Sequence, residues 1–418
     1  MTTKSISLKI PEHLNSEFFS EALNHGLNTK DVKILKLDFS LGSAAGDNYL
    51  SNIYRVVVTY TLQDSCPKEV FLIAKCILDA KNPNSVFTEI NVFNKENYMY
   101  LTILPQLEDI LVGVKLVPQC YYAPESPAPT FVFEDMRAAG FSISDRVNGL
   151  NEQHCKVALY KLGQYHAASI LLLQKNPSIR DSPALQRGIF SSVTLKKERL
   201  QQFVKQNLDS FADHISNTQE YENIVGKLRN LDIKKFIERV MEATQLSNGD
   251  ILVLSHGDMW VNNLMFKYEE SNPTDVVMID FQGSAFVSLG LDINYFFATS
   301  PSPHVLMNKK EELIEKAYFL GLKDTLEKHA FKMIPSLSDI TKEIEKKEIY
   351  ELFCSASILP VVSMSKDDSA EMSTERIREG KIKPSQFATK RFLEAMKISI
   401  KKYDEHGLLS TEYISSPN

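Results

Sequence analysis

The sequence predicts an α+β chain in two parts, a small β-rich part over residues 1 to 134 and a larger, mostly helical part over residues 135 to 418. Three observations carry that expectation. Two apolar runs of strand character, YRVVVTY at 54 to 60 and VFLIAKCIL at 70 to 78, stand near the N-terminus. From about Asn151 the pattern changes to long helical periodicities, opening with NEQHCKVALYKLGQYHAASILLLQ. Within the helical part lies one β-rich island, where DILVLSHGD leads through LMFKY and the polar turn EESNPTD to VVMIDF.

Taken in order, an amphipathic helix is expected from about Glu12 to Asn24, followed by the two strands on either side of the polar turn LQDSCPKE. A helix from about Val86 to Leu104 is expected to end at Pro105, since proline lacks the N–H that would continue it. A further strand, TFVFED, begins at Thr130 after the Pro-rich YYAPESPAP. The later island reads as a hairpin with polar residues at its strand ends, and helices resume beyond it.

Composition narrows the class. A chain of 418 residues with 43% hydrophobic content buries a large core, which excludes disorder of the whole. A net charge of -6 supplies no basic field for phosphate backbones, so nucleic acid is not expected as a partner, while cationic and neutral substrates stay open. The five cysteines (66, 76, 120, 155 and 354) form no CxxC pair, and three lie in apolar runs typical of buried thiols, which fits a reducing, cytoplasmic setting. The N-terminus shows no unbroken apolar segment and no stretch approaches eighteen apolar residues, so neither a signal peptide nor a membrane span is expected.

The strongest chemical signal is HGDMWVNN at 256 to 263, directly after the apolar run ILVLS. Seventeen residues after Asn263, VVMIDF places Asp280 at the end of a strand with apolar residues on both faces, where a carboxylate must have a partner. Phosphoryl transfer explains these residue types together, because that chemistry is mostly positioning and charge neutralisation around a metal-bound triphosphate. Asp258 suits the group that orients the acceptor hydroxyl and takes its proton. Asn263, a neutral oxygen donor, and Asp280 suit Mg²⁺ bound to the phosphates of ATP. The structural alternatives are an Asx-turn cap at Asp258 and a turn cap at Asn263.

Upstream, LGSAAGDNY places Gly42 and Gly46 just before a strand, which suits either a loop whose backbone approaches phosphates or an ordinary turn. Lys75, in FLIAKCIL, has apolar neighbours on both strand faces and wants an anion; the alternative is an edge-strand lysine that blocks aggregation. Glu96 shares a helix face with Phe93 and Tyr100 and is preferred over Glu89 as the carboxylate partner of Lys75. His166 reads as a hydrogen-bonded core histidine and His256 as a brace of its loop. Trp260 either packs on the acceptor or fills the core. No zinc spacing and no GxSxG elbow is present.

SHGDMWVNNLMF followed by VVMIDFQ resembles the catalytic loop and metal-binding segment of the aminoglycoside phosphotransferase and choline kinase group. More narrowly, the chain resembles the ecdysteroid kinase-like (CHK kinase-like) family, from about Leu41 to beyond Phe297. In that group HGD stands where protein kinases have HRD, and IDFQ where they have DFG. The resemblance implies a two-lobed protein-kinase-like fold and an ATP- and Mg²⁺-dependent small-molecule kinase. It implies that GSAAGDNY is the nucleotide loop, with Ser43 a further phosphate donor. It also implies that TFVFEDM joins the lobes, with backbone groups of Glu134 and Met136 at the adenine edge. Asp292, in SLGLDINYFF, would brace the catalytic loop; a helix N-cap is the alternative. The implied partner is a small hydroxylated acceptor, an ecdysteroid or a hydroxylated plant or xenobiotic compound. A kinase of a cationic alcohol such as choline or an aminoglycoside, and a pseudokinase without turnover, are the rivals. The runs SILPVVSM at 357 to 364 and LDINYFF at 291 to 297 favour an apolar acceptor site.

Overall fold

The computed structural model of the protein describes residues 9–42, 51–63, 65–77, 92–371 and 387–410. Ser43, Gly46, Glu89 and the first residues of the helix expected from Val86 lie outside the described residues. The chain divides into two units, one made of Met1–Phe93 and Val117–Ser142 and the other of Asn94–Leu116 and Ile143–Asn418.

The first unit is a helix on an antiparallel sheet. Helix α1 (Ser16–Gly26) precedes strands β1 (Val32–Leu41), β2 (Ser51–Leu62), β3 (Lys68–Ile77), β4 (Cys120–Tyr122) and β5 (Thr130–Glu134), which form a five-stranded sheet in the order β1-β2-β3-β5-β4. Strand β2 buries Tyr54, Val56, Val58 and Tyr60, the two-residue period of a half-buried strand. Helix α1 starts at Asn15, whose side chain accepts from the Phe18 N–H at 3.0 Å, and packs Phe18, Phe19, Ala22 and Leu23 into the same core. Each large side chain so buried contributes roughly 1.5–3 kcal/mol.

β1 was not among the expected strands. Its sequence, VKILKLDFSL, interleaves charges with apolar residues, its side chains are largely exposed or half-buried, and its pairing with β2 shifts register between Ile34 and Lys36. Pairing along an edge, rather than local pattern, makes it a strand.

The helix expected to stop at Pro105 does not stop. Helix α2 (Val92–Tyr98) passes through a π turn (Met99–Ile103) into α3 (Leu104–Leu111). Pro105 falls in the first turn of α3, just after the Leu104 N–H reaches back to the Met99 carbonyl. The widened turn accommodates the proline ring where a regular helix would clash with it.

The second unit is built around helix α4 (Glu152–Lys175), started by Asn151, whose side chain accepts from the His154 N–H at 3.1 Å. After the short strand β6 (Phe141–Ile143) and α4, the island forms as strands β7 (Leu252–Leu254), β8 (Leu264–Glu269), β9 (Asn272–Met278) and β10 (Phe286–Ser288). The hairpin is β8 with β9, and its turn is tighter than expected. Glu270 takes a left-handed conformation (φ 56°), and the strand resumes at Asn272 inside the run expected to be loop. Two registers then fix the site. Leu264 opposite Met278 brings the residues before β8 beside those after β9, and Leu254 opposite Phe286 holds the loop after β7 against the approach to β10.

Cys76, Cys155 and Cys354 are buried free thiols, as expected of three of the five. Among the described residues no helix is long and apolar enough to cross a membrane.

Candidate active site

The loop from Ser255 to Asn263 and the segment from Ile279 to Ala285 lie side by side in the second unit. The Ile279 N–H donates to the Asn263 carbonyl at 3.0 Å, and the Ser255 N–H to the Ala285 carbonyl at 2.8 Å. Between these two anchors the backbones nearly touch. A Cβ on Gly257 (φ 79°) would stand 2.2 Å from the Gly283 carbonyl oxygen, and one on Gly283 would stand 2.9 Å from Gly257 backbone. Only glycine fits this approach at both positions.

Asp258 is half-buried, and its carboxylate is held on both oxygens. The Tyr295 hydroxyl donates to Oδ1 at 2.5 Å, and the Asn263 Nδ2 donates to Oδ2 at 3.0 Å and to the Asp258 carbonyl at 2.8 Å. Burial, and after it the negative charge of Asp280, pushes the Asp258 carboxyl up to about 7, against the hydrogen bonds from Tyr295, Asn263 and Gln282 that stabilise its ionised form. A carboxylate whose ionisation is made costly by burial and by a second carboxylate marks a place where positive charge is wanted.

A second layer of bonds sets the loop. Asp292, 1% exposed, accepts from the backbone N–H of His256 at 2.6 Å and of Gly257 at 2.9 Å, and from His166 Nε2 at 3.1 Å. It is therefore the brace and not the N-cap of helix α5 (Leu289–Thr299), which is Ser288, whose hydroxyl accepts from the Gly290 N–H at 3.2 Å. Burial works against ionisation of Asp292, yet these bonds and the charge of His166 hold its carboxyl below the usual range. His166 is fully buried and also bonds the Tyr318 hydroxyl at 2.8 Å, the core role expected of it. His256 is buried too, which lowers its pKa and keeps the ring neutral. Its Nδ1 accepts from the Asp258 N–H at 3.3 Å and its Nε2 donates to the Ile279 carbonyl at 3.1 Å, tying the two segments together.

Asp280, two residues past the end of β9, takes a left-handed conformation (φ 69°), an uncommon state for a residue with a side chain. Its N–H donates to the Tyr100 hydroxyl at 3.3 Å, and the Tyr100 ring meets Phe281 edge-on at 5.7 Å. The Asn263 amide nitrogen is committed to Asp258, so the end it presents for other partners is its oxygen. Among the described residues no three His, Cys, Asp or Glu side chains cluster as a cage for a metal. An amide oxygen and a carboxylate are hard oxygen donors of the kind that hold Mg²⁺ together with substrate phosphates, so the residues fit that ion without a cage.

The other expected site residues are placed as follows. Lys75 is 8% exposed, lies on β3, the middle strand of its sheet, and stands 6.0 Å from the centre of the Phe131 ring opposite it on β5. The edge-strand alternative is thereby ruled out. Gly42 closes the β1–β2 pairing through its N–H to the Ile53 carbonyl at 2.9 Å, and a Cβ there would stand 2.4 Å from the Ile53 side chain. The Glu134 N–H pairs with the Gln119 carbonyl at 2.9 Å, and the buried Met136 accepts at its carbonyl from the Phe141 N–H at 2.9 Å. Between them Asp135 is buried and ion-paired with Arg55 at 2.5 Å, which anchors this segment to β2. Glu96, in the second unit, is fully buried.

Sequence reasoning assigned no role to Tyr295, Gln282 or Gly283. Tyr295 stood in an apolar run taken for acceptor lining. The available signal was its hydroxyl, which a fully buried tyrosine must satisfy.

The chain matches the profile of the ecdysteroid kinase-like family over residues 45–331. No curated protein matches it. Among solved structures, it is similar to an aminoglycoside 2″-phosphotransferase of type IIIa in complex with GDP and kanamycin, at 13% identity and a TM-score of 0.38, covering 88% of this chain and 99% of that one. It is also similar to a glucosamine kinase in complex with glucosamine, ADP and inorganic phosphate, at 13% identity and a TM-score of 0.34, covering 88% of each chain. Scores and identities this low leave the assignment to the family profile, which spans well over half of the sequence and on which the chain belongs to the ecdysteroid kinase-like family.

Proposed function

We propose that the protein is an ATP- and Mg²⁺-dependent small-molecule kinase that transfers the γ-phosphoryl group to a hydroxyl of an ecdysteroid or a hydroxylated xenobiotic compound. The observation that carries this is the Asp258 carboxylate, fixed on both oxygens by Tyr295 and Asn263 beside the carboxylate of Asp280.

In this account Asp258 accepts the hydrogen bond of the acceptor hydroxyl and takes its proton as the oxygen attacks the γ-phosphorus and ADP leaves. Asn263 and Asp280 would hold Mg²⁺, which neutralises charge on the phosphates. Asp292 and His256 keep the loop in place so that Asp258 spends no time in other orientations. On the nucleotide side, the loop with Gly42, Ser43 and Gly46 would cover the phosphates, Lys75 would meet them and pair with Glu96, and backbone groups of Glu134 and Met136 would meet the adenine. A nucleotide-binding lobe over 1–134 and a catalytic and acceptor-binding lobe over 135–418 are the corresponding domains.

An apolar acceptor is favoured by the neighbours of Asp258. Tyr350 and Cys354, both buried, feel its charge, and Phe190 packs edge-on against Phe353 at 5.2 Å and Tyr350 at 6.3 Å. They bring no carboxylate of their own, where a cation site would gather several carboxylates or close an aromatic cage around the ligand. The test is incubation of the protein with labelled ATP, Mg²⁺ and a panel of an ecdysteroid, hydroxylated plant phenols, choline and kanamycin. Transfer to an apolar alcohol, with a KM insensitive to salt, is expected. Transfer confined to choline or kanamycin and weakened steeply by salt would replace the acceptor class, and nucleotide binding without transfer to any alcohol would contradict the kinase assignment.

A further inference from the structure

The second unit holds a recess of about 450 Å³, none of whose lining residues belongs to the site described above. Four of those residues are lysines, Lys115, Lys156, Lys161 and Lys316, against a single carboxylate, Asp275. In a chain of net charge -6 this is a local reversal of sign.

The lysines differ in what they can do. Lys161 is 6% exposed and fixed, donating to the Lys115 carbonyl at 2.9 Å and paired with Asp275 at 2.8 Å. Lys156 is half-buried and Lys316 exposed, at 35% and 63% of their side chains, and the glutamates they meet on their own helical runs, Glu152 at 2.7 Å and Glu312 at 3.3 Å, are both shared with Lys309, at 3.4 and 3.1 Å. Each glutamate keeps Lys309 as a partner when Lys156 or Lys316 turns to another anion, which limits what that turn costs. Val157, Tyr160 and Ala317 add apolar lining. Lys316 and Ala317 belong to a π turn (Ile314–Phe319), a geometry that is rare and gathers at functional sites. The volume is that of a small-molecule site, and the combination of mobile cations with an apolar wall selects an amphiphilic anion.

We propose that this recess binds a small organic anion, a phosphate, sulfonate, sulfate or carboxylate whose charged end meets Lys156 and Lys316 and whose apolar body lies against Val157 and Tyr160. The inference is independent of the kinase assignment. Its test is a fluorescence titration of the full chain with anilinonaphthalene sulfonate, with N-phenyl-1-naphthylamine as the uncharged probe of similar body. The sulfonate is expected to bind a saturable site that weakens with salt, and the double variant Lys156→Ala/Lys316→Ala to bind it about tenfold more weakly while binding the uncharged probe unchanged. Equal losses for both probes, or a sulfonate affinity within about twofold of the parent, would overturn the proposal. An unchanged thermal unfolding midpoint shows that the double variant remains folded; should it fall, the charge-conserving Lys156→Arg/Lys316→Arg variant is expected to retain sulfonate binding, and loss of binding there too would count against the site. Sedimentation with phosphatidylglycerol vesicles separates a free anion from a lipid headgroup. No sedimentation is expected, and capture by vesicles that the same double substitution abolishes would overturn the assignment to a free small molecule.

Discussion

Replacing Asp292 tests how much of the order of the loop from Ser255 to Asn263 rests on one buried carboxylate. Its two oxygens accept three hydrogen bonds, from the N–H groups of His256 and Gly257 and from His166. Asp292→Ala leaves all three donors without their acceptor in a buried place, at roughly 1–3 kcal/mol each, so a loss of about 3–9 kcal/mol is expected. Asp292→Asn keeps the shape and one accepting oxygen but turns an amide N–H toward at least one of the donors, for a loss of about 1–3 kcal/mol. Urea unfolding followed by the fluorescence of Trp260, the single tryptophan and a member of the braced loop, reads both. The pH dependence has a definite sign. A carboxyl held below its unfolded range contributes stability above that range and loses it as pH falls through the folded value, so Asp292→Asn should flatten the acid limb of the stability curve. Losses below about 0.5 kcal/mol for Asp292→Asn, or equal losses for the two variants, would refute the bracing role.

Other perturbations probe the same geometry. Tyr295→Phe removes the donor to Asp258 Oδ1, a bond to a charged group worth about 1.5–3 kcal/mol, and should lower kcat about tenfold with KM for ATP unchanged; an unaltered kcat would remove Tyr295 from the positioning of Asp258. Gly257→Ala puts a Cβ 2.2 Å from the Gly283 carbonyl at a left-handed φ, and should destabilise the protein by more than about 3 kcal/mol in thermal or urea unfolding, a value that a well-tolerated substitution would contradict. Lys75→Met and Glu96→Gln should each impair turnover, and a double-mutant cycle should show the losses to be coupled; additive losses would dissolve the proposed pair.

What was legible in the sequence follows physical lines. Asp258, Asn263 and Asp280 stood out as candidates because one tight hairpin converts a short sequence spacing into proximity, so local order and spatial order coincide. Lys75 stood out as a buried charge because a charge on a strand with apolar neighbours is an anomaly that strand periodicity exposes. Tyr295 was not found, since its hydroxyl reaches Asp258 only through the placement of helix α5, and within LDINYFF it looks like one more large apolar group. Gly283 was missed for a related reason, as its need to be glycine comes from Gly257 across the fold and not from its own turn. Pro105 misled because its rule holds for regular helix, and the π turn before it is not regular. Strand β1 escaped because an edge strand is defined by its partner.

The central claim is that Asp258 is the group that activates the acceptor hydroxyl and does not itself bind the nucleotide. The measurement is Asp258→Asn, assayed for phosphoryl transfer to the best alcohol of the panel and, on the same preparation, for affinity toward Mg-ATP. The account predicts that kcat falls by about 10² to 10⁴ while the nucleotide affinity stays within about twofold of the parent. Turnover at the parental rate, or a loss of nucleotide affinity as large as the loss of turnover, would contradict it.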